Sequence, residues 1–354
     1  MNRNYNLIAL TILLMFSTPA IANSIEGMSF SHNDWEIACD NTGTCRAAGY
    51  HNEGTSKKGI SVLLTRKAGK GTIVEAELKL GIYDDKEINK FMEGKAILFM
   101  VINGVNFGKL TKKENHYSLS HVQTKALVKA LSGVSMILFK GDGIQWQLSD
   151  KGATAVLLKM DDFQKRLGTT GALIKKGNAS EANVLRAKSV PIIKKPNLSA
   201  QFGAEKQISK TASALVLNIL KQSLSKDEHI DYCPMVRENH KDSEIITVYP
   251  LNAHRTLVSV MCWRGAYNAG RGFWLMDNKL KNIHKRITFS AVHYDNGTIS
   301  ENHKSRGLGD CWSGSSWAWD GKSFNLAEEY TTGMCKLIEA GGAWMLPTTV
   351  SKIQ

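Results

Sequence analysis

Six cysteines, Cys39, Cys45, Cys233, Cys262, Cys311 and Cys335, constrain this 354-residue chain more than any other feature. They matter because of what precedes them. Arg3, an apolar run over residues 7–16, Pro19 and the small residues Ala20 and Ala22 read as a secretory leader cut after Ala22. Export delivers a chain to an oxidising compartment, where an even number of cysteines reads as a disulfide framework. Two cysteines fall in the first half and four in the second. If bridges stay within halves, Cys39 must pair with Cys45. Neighbours in a chain of strands are usually neighbours in space, which favours Cys233–Cys262 and Cys311–Cys335. Pairing of Cys262 with Cys311 stays open.

No run after the leader reaches the roughly 20 apolar residues that a membrane helix needs. The mature chain is therefore expected to be a soluble, secreted protein of the periplasm. Its length accommodates two domains. The spacing predicts an N-terminal α+β domain over 23–178 and a disulfide-rich, mainly β domain over 205–354. Between them 179–204 reads as a basic linker with Pro191 and Pro196. The formal net charge of +13 is spread along the chain. A thin excess gives solubility and weak attraction to polyanions, not a nucleic-acid groove. Export also takes nucleic acid out of reach, so an envelope protein or an anionic glycan is the expected partner. Oligomeric state has no signal in the sequence.

Periodicity predicts a fold of class α+β, mainly antiparallel β, each domain a sheet with one or two helices. Strand-like runs such as "ISVLLTRK", "RTLVSVMCW" and "GFWLMD" alternate with turn chemistry. Asn103-Gly104, Asn296-Gly297 and Asp320-Gly321 read as tight hairpin turns. Ser120 is placed to cap a helix with Leu127, Leu131 and Val134 as its apolar stripe. Ser149 is placed to cap another. A helix over 205–224 is expected to bury Ile208, Ala212, Leu215 and Ile219. The repeated "CWRG" and "CWSG" at Cys262 and Cys311 hint at a duplicated β unit.

The chemistry-bearing patterns are few. Ten histidines are scattered without metal-ligand spacing, so neither a metal nor another cofactor is expected. Gly314-Ser315-Ser316 lacks the strained elbow of a serine nucleophile. The densest stretch is "RGLGDCWSGSSWAWDGKSF" over 306–324. Asp310 and Asp320 flank its tryptophans, and two carboxyls about 5–9 Å apart would suit glycoside cleavage. Trp317 and Trp319, two apart on a strand, share a face. They read first as core beside a half-cystine. The other reading is an aromatic platform for a ligand, with Trp274 and with Arg271 or Arg306 gripping an anionic group. These patterns favour a binding protein over a catalyst. A carbohydrate-active hydrolase using Asp310 and Asp320 is the alternative, and a lysozyme-type enzyme inhibitor is a third class.

The segments "DWEIACDNTGTCRAAGY", "LSDKGATAVLLKMDDFQKRLGTTGAL", "CWRGAYNAGRGFW", "GLGDCWSGSSWAWDGKSF" and "GGAWMLPT" resemble the envelope family called domain of unknown function 1176. That resemblance implies an exported protein without an assigned activity, and it carries no catalytic residues across. The opening Trp35, Cys39 and Cys45 are also similar to invasion-associated locus B proteins, which implies an exported β protein.

Overall fold

A computed structural model describes residues 24–54, 58–83, 85–199, 201–224, 232–241 and 245–354. The expected leader and cleavage site lie outside the described residues. The chain opens as an antiparallel meander: β1 (Met28–His32), β2 (Trp35–Cys39), β3 (Cys45–Tyr50), β4 (Ile60–Arg66) and β5 (Glu75–Leu80). Next come α1 (Lys86–Glu93), the hairpin of β6 (Phe99–Ile102) and β7 (Val105–Lys109), and the short β8 (Thr111–Lys112) and β9 (Tyr117–Ser118). Then follow α2 (His121–Ala130), the hairpin of β10 (Ile137–Gly141) and β11 (Ile144–Leu148), and α3 (Ala153–Phe163). Two sheets result, a seven-stranded β1-β2-β3-β4-β5-β9-β8 and a four-stranded β11-β10-β6-β7.

Side chains alternate across each strand, so the first sheet has two separate faces. Ile37, Ala47, Val62 and Leu64 point into a core shared with the second sheet and with α1, α2 and α3. Ala38, Ala48, Tyr50 and Leu63 point the other way. The two central strands are nearly continuous apolar runs because both of these faces are covered.

The second half begins with β12 (Ile192–Ile193), β13 (Lys206–Gln207), α4 (Lys210–Leu224) and α5 (Pro234–Arg237). A five-stranded sheet follows, in which β13 leads β14 (Thr247–Pro250), β15 (Arg255–Arg264), β16 (Ala269–Asp277) and β17 (Ile283–Ala291) in chain order. A second five-stranded sheet runs β18 (His293–Asp295), β19 (Thr298–Lys304), β20 (Trp312–Trp319), β21 (Phe324–Thr331) and β22 (Leu346–Thr349). The last strand, β23 (Lys352–Ile353), pairs in parallel with β12. The layers are helices, sheet, sheet. Val258, Val260, Trp274 and Met276 face Val216, Leu220 and Val236 of the helices. Leu257, Phe273 and Leu275 face Ile299, Trp319 and Phe324 of the other sheet.

The two halves are stitched together by the end of the chain. Beyond β21 the segment 333–346 crosses to the outer face of the first sheet, where Ile338, Ala343, Trp344 and Leu346 cover Ala38, Ala48, Tyr50 and Leu63. Trp344 Nε1 donates to Ser61 Oγ at 2.7 Å, and Ile82 N donates to the Ile338 carbonyl at 2.7 Å. Asn41 exchanges two hydrogen bonds with the Val350 backbone. The stretch 179–199 runs along this body. Leu185 N donates to the Gln164 carbonyl, and β12 lies against β23.

All six cysteines are bridged, as Cys39–Cys45, Cys233–Cys262 and Cys311–Cys335. This closes the Cys262–Cys311 alternative. The duplicated-unit hint fails on context, since Cys262 lies near the end of β15 whereas Cys311 precedes β20. Asn103-Gly104 and Asn296-Gly297 both have positive φ, as a tight hairpin requires.

Three helix expectations need correcting. Ser149 does not cap α3; Gly152 holds that position without a side-chain bond, and the Ser149 hydroxyl donates to Asp34 instead. Val134 lies beyond the end of α2 and is exposed. The helix expected from 205 starts at Lys210, because Ser209 Oγ accepts Ala212 N while 206–207 pair with β14. It buries Val216, Leu220 and Leu224 and leaves Leu215 65% exposed. Ile208 and Ile219 of the expected stripe pack partly against the same core, so the buried face is turned from the expected one without being opposite to it.

Candidate functional site

The residues proposed as an aromatic platform do not converge. Trp274 is 1% exposed and packs edge-on against Phe289, with ring centroids 5.8 Å apart, on the helix side of its sheet. Trp319 is 1% exposed and lies on the opposite side of that sheet, against Phe324. Trp317 is half-buried on the same cluster. Arg271 Nε donates to Ser259 Oγ at 2.7 Å, so that guanidinium braces β15 against β16. Arg306 grips Asp310 with two bonds of 2.8 and 2.6 Å. The indoles fill cores and the arginines hold neighbouring strands and turns.

The hydrolase pair is likewise engaged. Burial alone would raise the Asp310 carboxyl, but Arg306 and the Leu337 N–H outweigh it and hold the group below its ordinary value. Asp320 Oδ1 accepts Lys322 N and Ser323 N, and its Oδ2 accepts Asn325 Nδ2. These bonds too outweigh burial and hold that carboxyl low. General-acid chemistry needs a carboxyl raised towards neutrality, and here both are pinned as anions in turns. Asp310, Cys311 and Cys335 cluster as metal ligands would, yet the two sulfurs are bonded to each other and the carboxylate to Arg306.

A different place has the geometry of a site. Helix α2 is fixed by a capping box in which Ser120 Oγ accepts Gln123 N and Gln123 Oε1 accepts Ser120 N. Gln123 Nε2 also donates to the Phe107 and Lys109 carbonyls, which locks the helix onto β7. Gln123, Leu127 and Ala130 face inward. On the other side His121, Lys125, Lys129 and Ser132 are exposed, with the half-buried Val128 and the buried Thr124 between them, at helical spacing. This side forms one wall of a groove of ≈ 580 Å³.

The facing wall is the loop from Thr170 to Lys176, with Ile73 and Val74 at one end. A buried ion pair holds this loop. Asp161 Oδ1 accepts Arg66 at 2.7 Å, while its Oδ2 accepts Leu173 N and Ile174 N at 2.7 and 3.0 Å. The side chains of Arg66 and Asp161 are 1% and 0% exposed. Burial draws the Arg66 pKa down from its ordinary value, against the pull of Asp161. Beside it, Arg166 binds Glu181 and Thr72 and so fixes the end of the groove at Thr72 to Val74.

The lining has one sign of charge. Lys125, Lys129 and Lys176 are exposed around the groove and form no ion pair among the described residues. Among the described residues no carboxylate lines it. Glu75 and Glu77 belong to the neighbouring shallower groove beyond Ile73 and Val74. Between the lysines the surface is mostly apolar, from the half-buried Val74, Val128, Leu173 and Ile174, with Thr124, Thr170 and Ser132 among them. Such a groove is equipped to hold an anion. The sequence reading missed it by following the inward stripe of α2. The signal was His121, Lys125 and Lys129 at intervals of four, with no acidic residue on the helix to pair with them.

The family described as "Protein of unknown function (DUF1176)" matches residues 29–351, which takes in both halves, the groove and the crossing segment. The chain belongs to the DUF1176 family. It is similar to the uncharacterized protein YpfG of Escherichia coli (strain K12), 25% identical over 340 residues, covering 88% of this chain and 90% of that protein. No solved structure matches it. Among the described residues of this DUF1176 protein no helix is long and apolar enough to cross a membrane.

Proposed function

We propose that this DUF1176 protein is exported to the periplasm and acts there as a binding protein, holding an anionic envelope partner in the groove beside α2. Three disulfides and the leader at 1–22 support export. The observation that carries the binding reading is the set of three lysines that form no ion pair among the described residues, around a cavity with no carboxylate in its described lining. Lys125 and Lys129 stand one helical turn apart, where like charges repel by a few tenths of a kcal/mol. An anion between them and Lys176 converts that repulsion into attraction. With Asp310 and Asp320 both engaged, catalysis by that pair has no support.

The test is retention of the mature chain on an immobilised polyuronate glycan, against neutral dextran, with salt elution. The parent should be retained at low salt. The triple variant Lys125→Gln/Lys129→Gln/Lys176→Gln should elute well before it. Co-elution of variant and parent would assign retention to the overall charge and remove the groove from the reading. Export is checked by fractionating cells and sequencing the N-terminus, which should begin at Asn23; a soluble cytoplasmic chain that keeps residues 1–22 would overturn it.

A further inference from the structure

We infer that the anion this groove receives carries a linear apolar chain, as a single-chain acyl anion does. The inference rests on the binding reading above and narrows its ligand class. The lysines are exposed around the groove, whereas most of the surface between them is hydrocarbon. Val128 on α2 faces the loop residues Leu173 and Ile174, with Val74 continuing the strip. A small hydrated anion would meet the ammonium groups and leave this strip wet. A chain laid along it removes apolar surface from water.

The dimensions agree. A volume of ≈ 580 Å³ lies within the ~300–1,000 Å³ of ordinary small-ligand pockets. The wall on each side is held rigidly, by the Ser120–Gln123 capping box on one and by Asp161 on the other. A groove held open in this way is preorganised, so little ordering opposes binding. Charge complementarity fixes the sign of the headgroup, and the apolar strip fixes the nature of the rest.

The test is calorimetric titration of the intact, oxidised mature chain with dodecyl phosphate, octyl phosphate, inorganic phosphate and dodecyl maltoside, all below micellar concentrations. Dodecyl phosphate should bind tightest. Octyl phosphate should bind about tenfold more weakly, since an open groove covers only part of each added methylene. Val128→Asp should weaken dodecyl phosphate at least as much as the triple lysine variant does. Thermal unfolding of each variant confirms that it is folded.

Three outcomes overturn the inference. Equal affinity for dodecyl and inorganic phosphate leaves the anion-binding function standing and removes the chain. Equal affinity for dodecyl phosphate and dodecyl maltoside shows an apolar cleft indifferent to charge. Failure of every phosphate probe, with lysine-dependent glycan retention intact, makes the ligand a polyanion without a chain. If that retention is lost as well, the proposed function falls with it.

Discussion

Glu36 and Met334 are 298 positions apart in the chain, and the Met334 N–H donates to the Glu36 carboxylate at 2.6 Å. The same oxygen accepts the Tyr50 hydroxyl at 2.7 Å. This carboxylate is one of the points where the crossing segment is pinned to the first sheet.

Glu36 gives the molecule a predictable pH response. Burial raises its pKa above the ordinary 4.5, and the bonds from Tyr50 and Met334 only partly offset this. A carboxyl with a raised folded-state pKa favours the fold most below its unfolded value. That contribution is lost as pH rises through the folded value. Glu36→Gln keeps an acceptor without the charge. Its melting temperature relative to the parent should therefore rise as pH climbs above the ordinary 4.5 and level off once Glu36 has ionised in the folded protein. A difference that stays flat across this window would show that ionisation of Glu36 costs nothing.

The bridges should rank by the chain they close. Cys39–Cys45 spans 6 positions, whereas Cys233–Cys262 and Cys311–Cys335 span 29 and 24. Loop-closure entropy assigns about 2 kcal/mol to the short loop and about 3.5 kcal/mol to each long one. Double cysteine-to-alanine variants of each pair, unfolded in urea, measure the order. If removing Cys39–Cys45 proves the costliest, packing of the buried sulfurs outweighs loop entropy.

Asp161→Asn should be severe. It leaves Arg66 buried without a counter-charge and weakens the acceptor for Leu173 N and Ile174 N. Removing one member of a buried pair typically costs about 3–5 kcal/mol. Urea unfolding gives the magnitude. Hydrogen exchange at the Leu173 and Ile174 amides shows whether the groove wall loosens. A loss below about 1 kcal/mol with unchanged protection would mean that the loop is held by its packing alone.

What was legible in the sequence was local. Asn103-Gly104 and Asn296-Gly297 announce their turns because few other residues accept that backbone. Ser120 caps α2 through a residue three positions away. The bridges follow chain proximity. What was not legible depended on distant partners. Ser149 leaves its expected cap for Asp34, 115 positions earlier. The rotation of α4, which buries Val216 and Leu220 fully and Ile219 partly and leaves Leu215 out, is set by the neighbouring sheet. Asp310 has the composition of a catalytic carboxyl until Arg306 and Leu337 close around it. The groove is formed by α2 and a loop some 40 residues further on, and no short motif encodes it.

The crossing segment also sets the order in which this protein is completed. Its beginning supplies a sheet whose outer face stays bare until Ile338, Ala343, Trp344 and Leu346 arrive. A chain emerging from its N-terminus can assemble the early hairpins, but it cannot shield them before nearly every residue has been delivered. Contacts of such long separation slow maturation, and they leave apolar strands open to rival chains in the interval. Losing the last twenty residues would therefore harm the N-terminal half first, far in sequence from the cut.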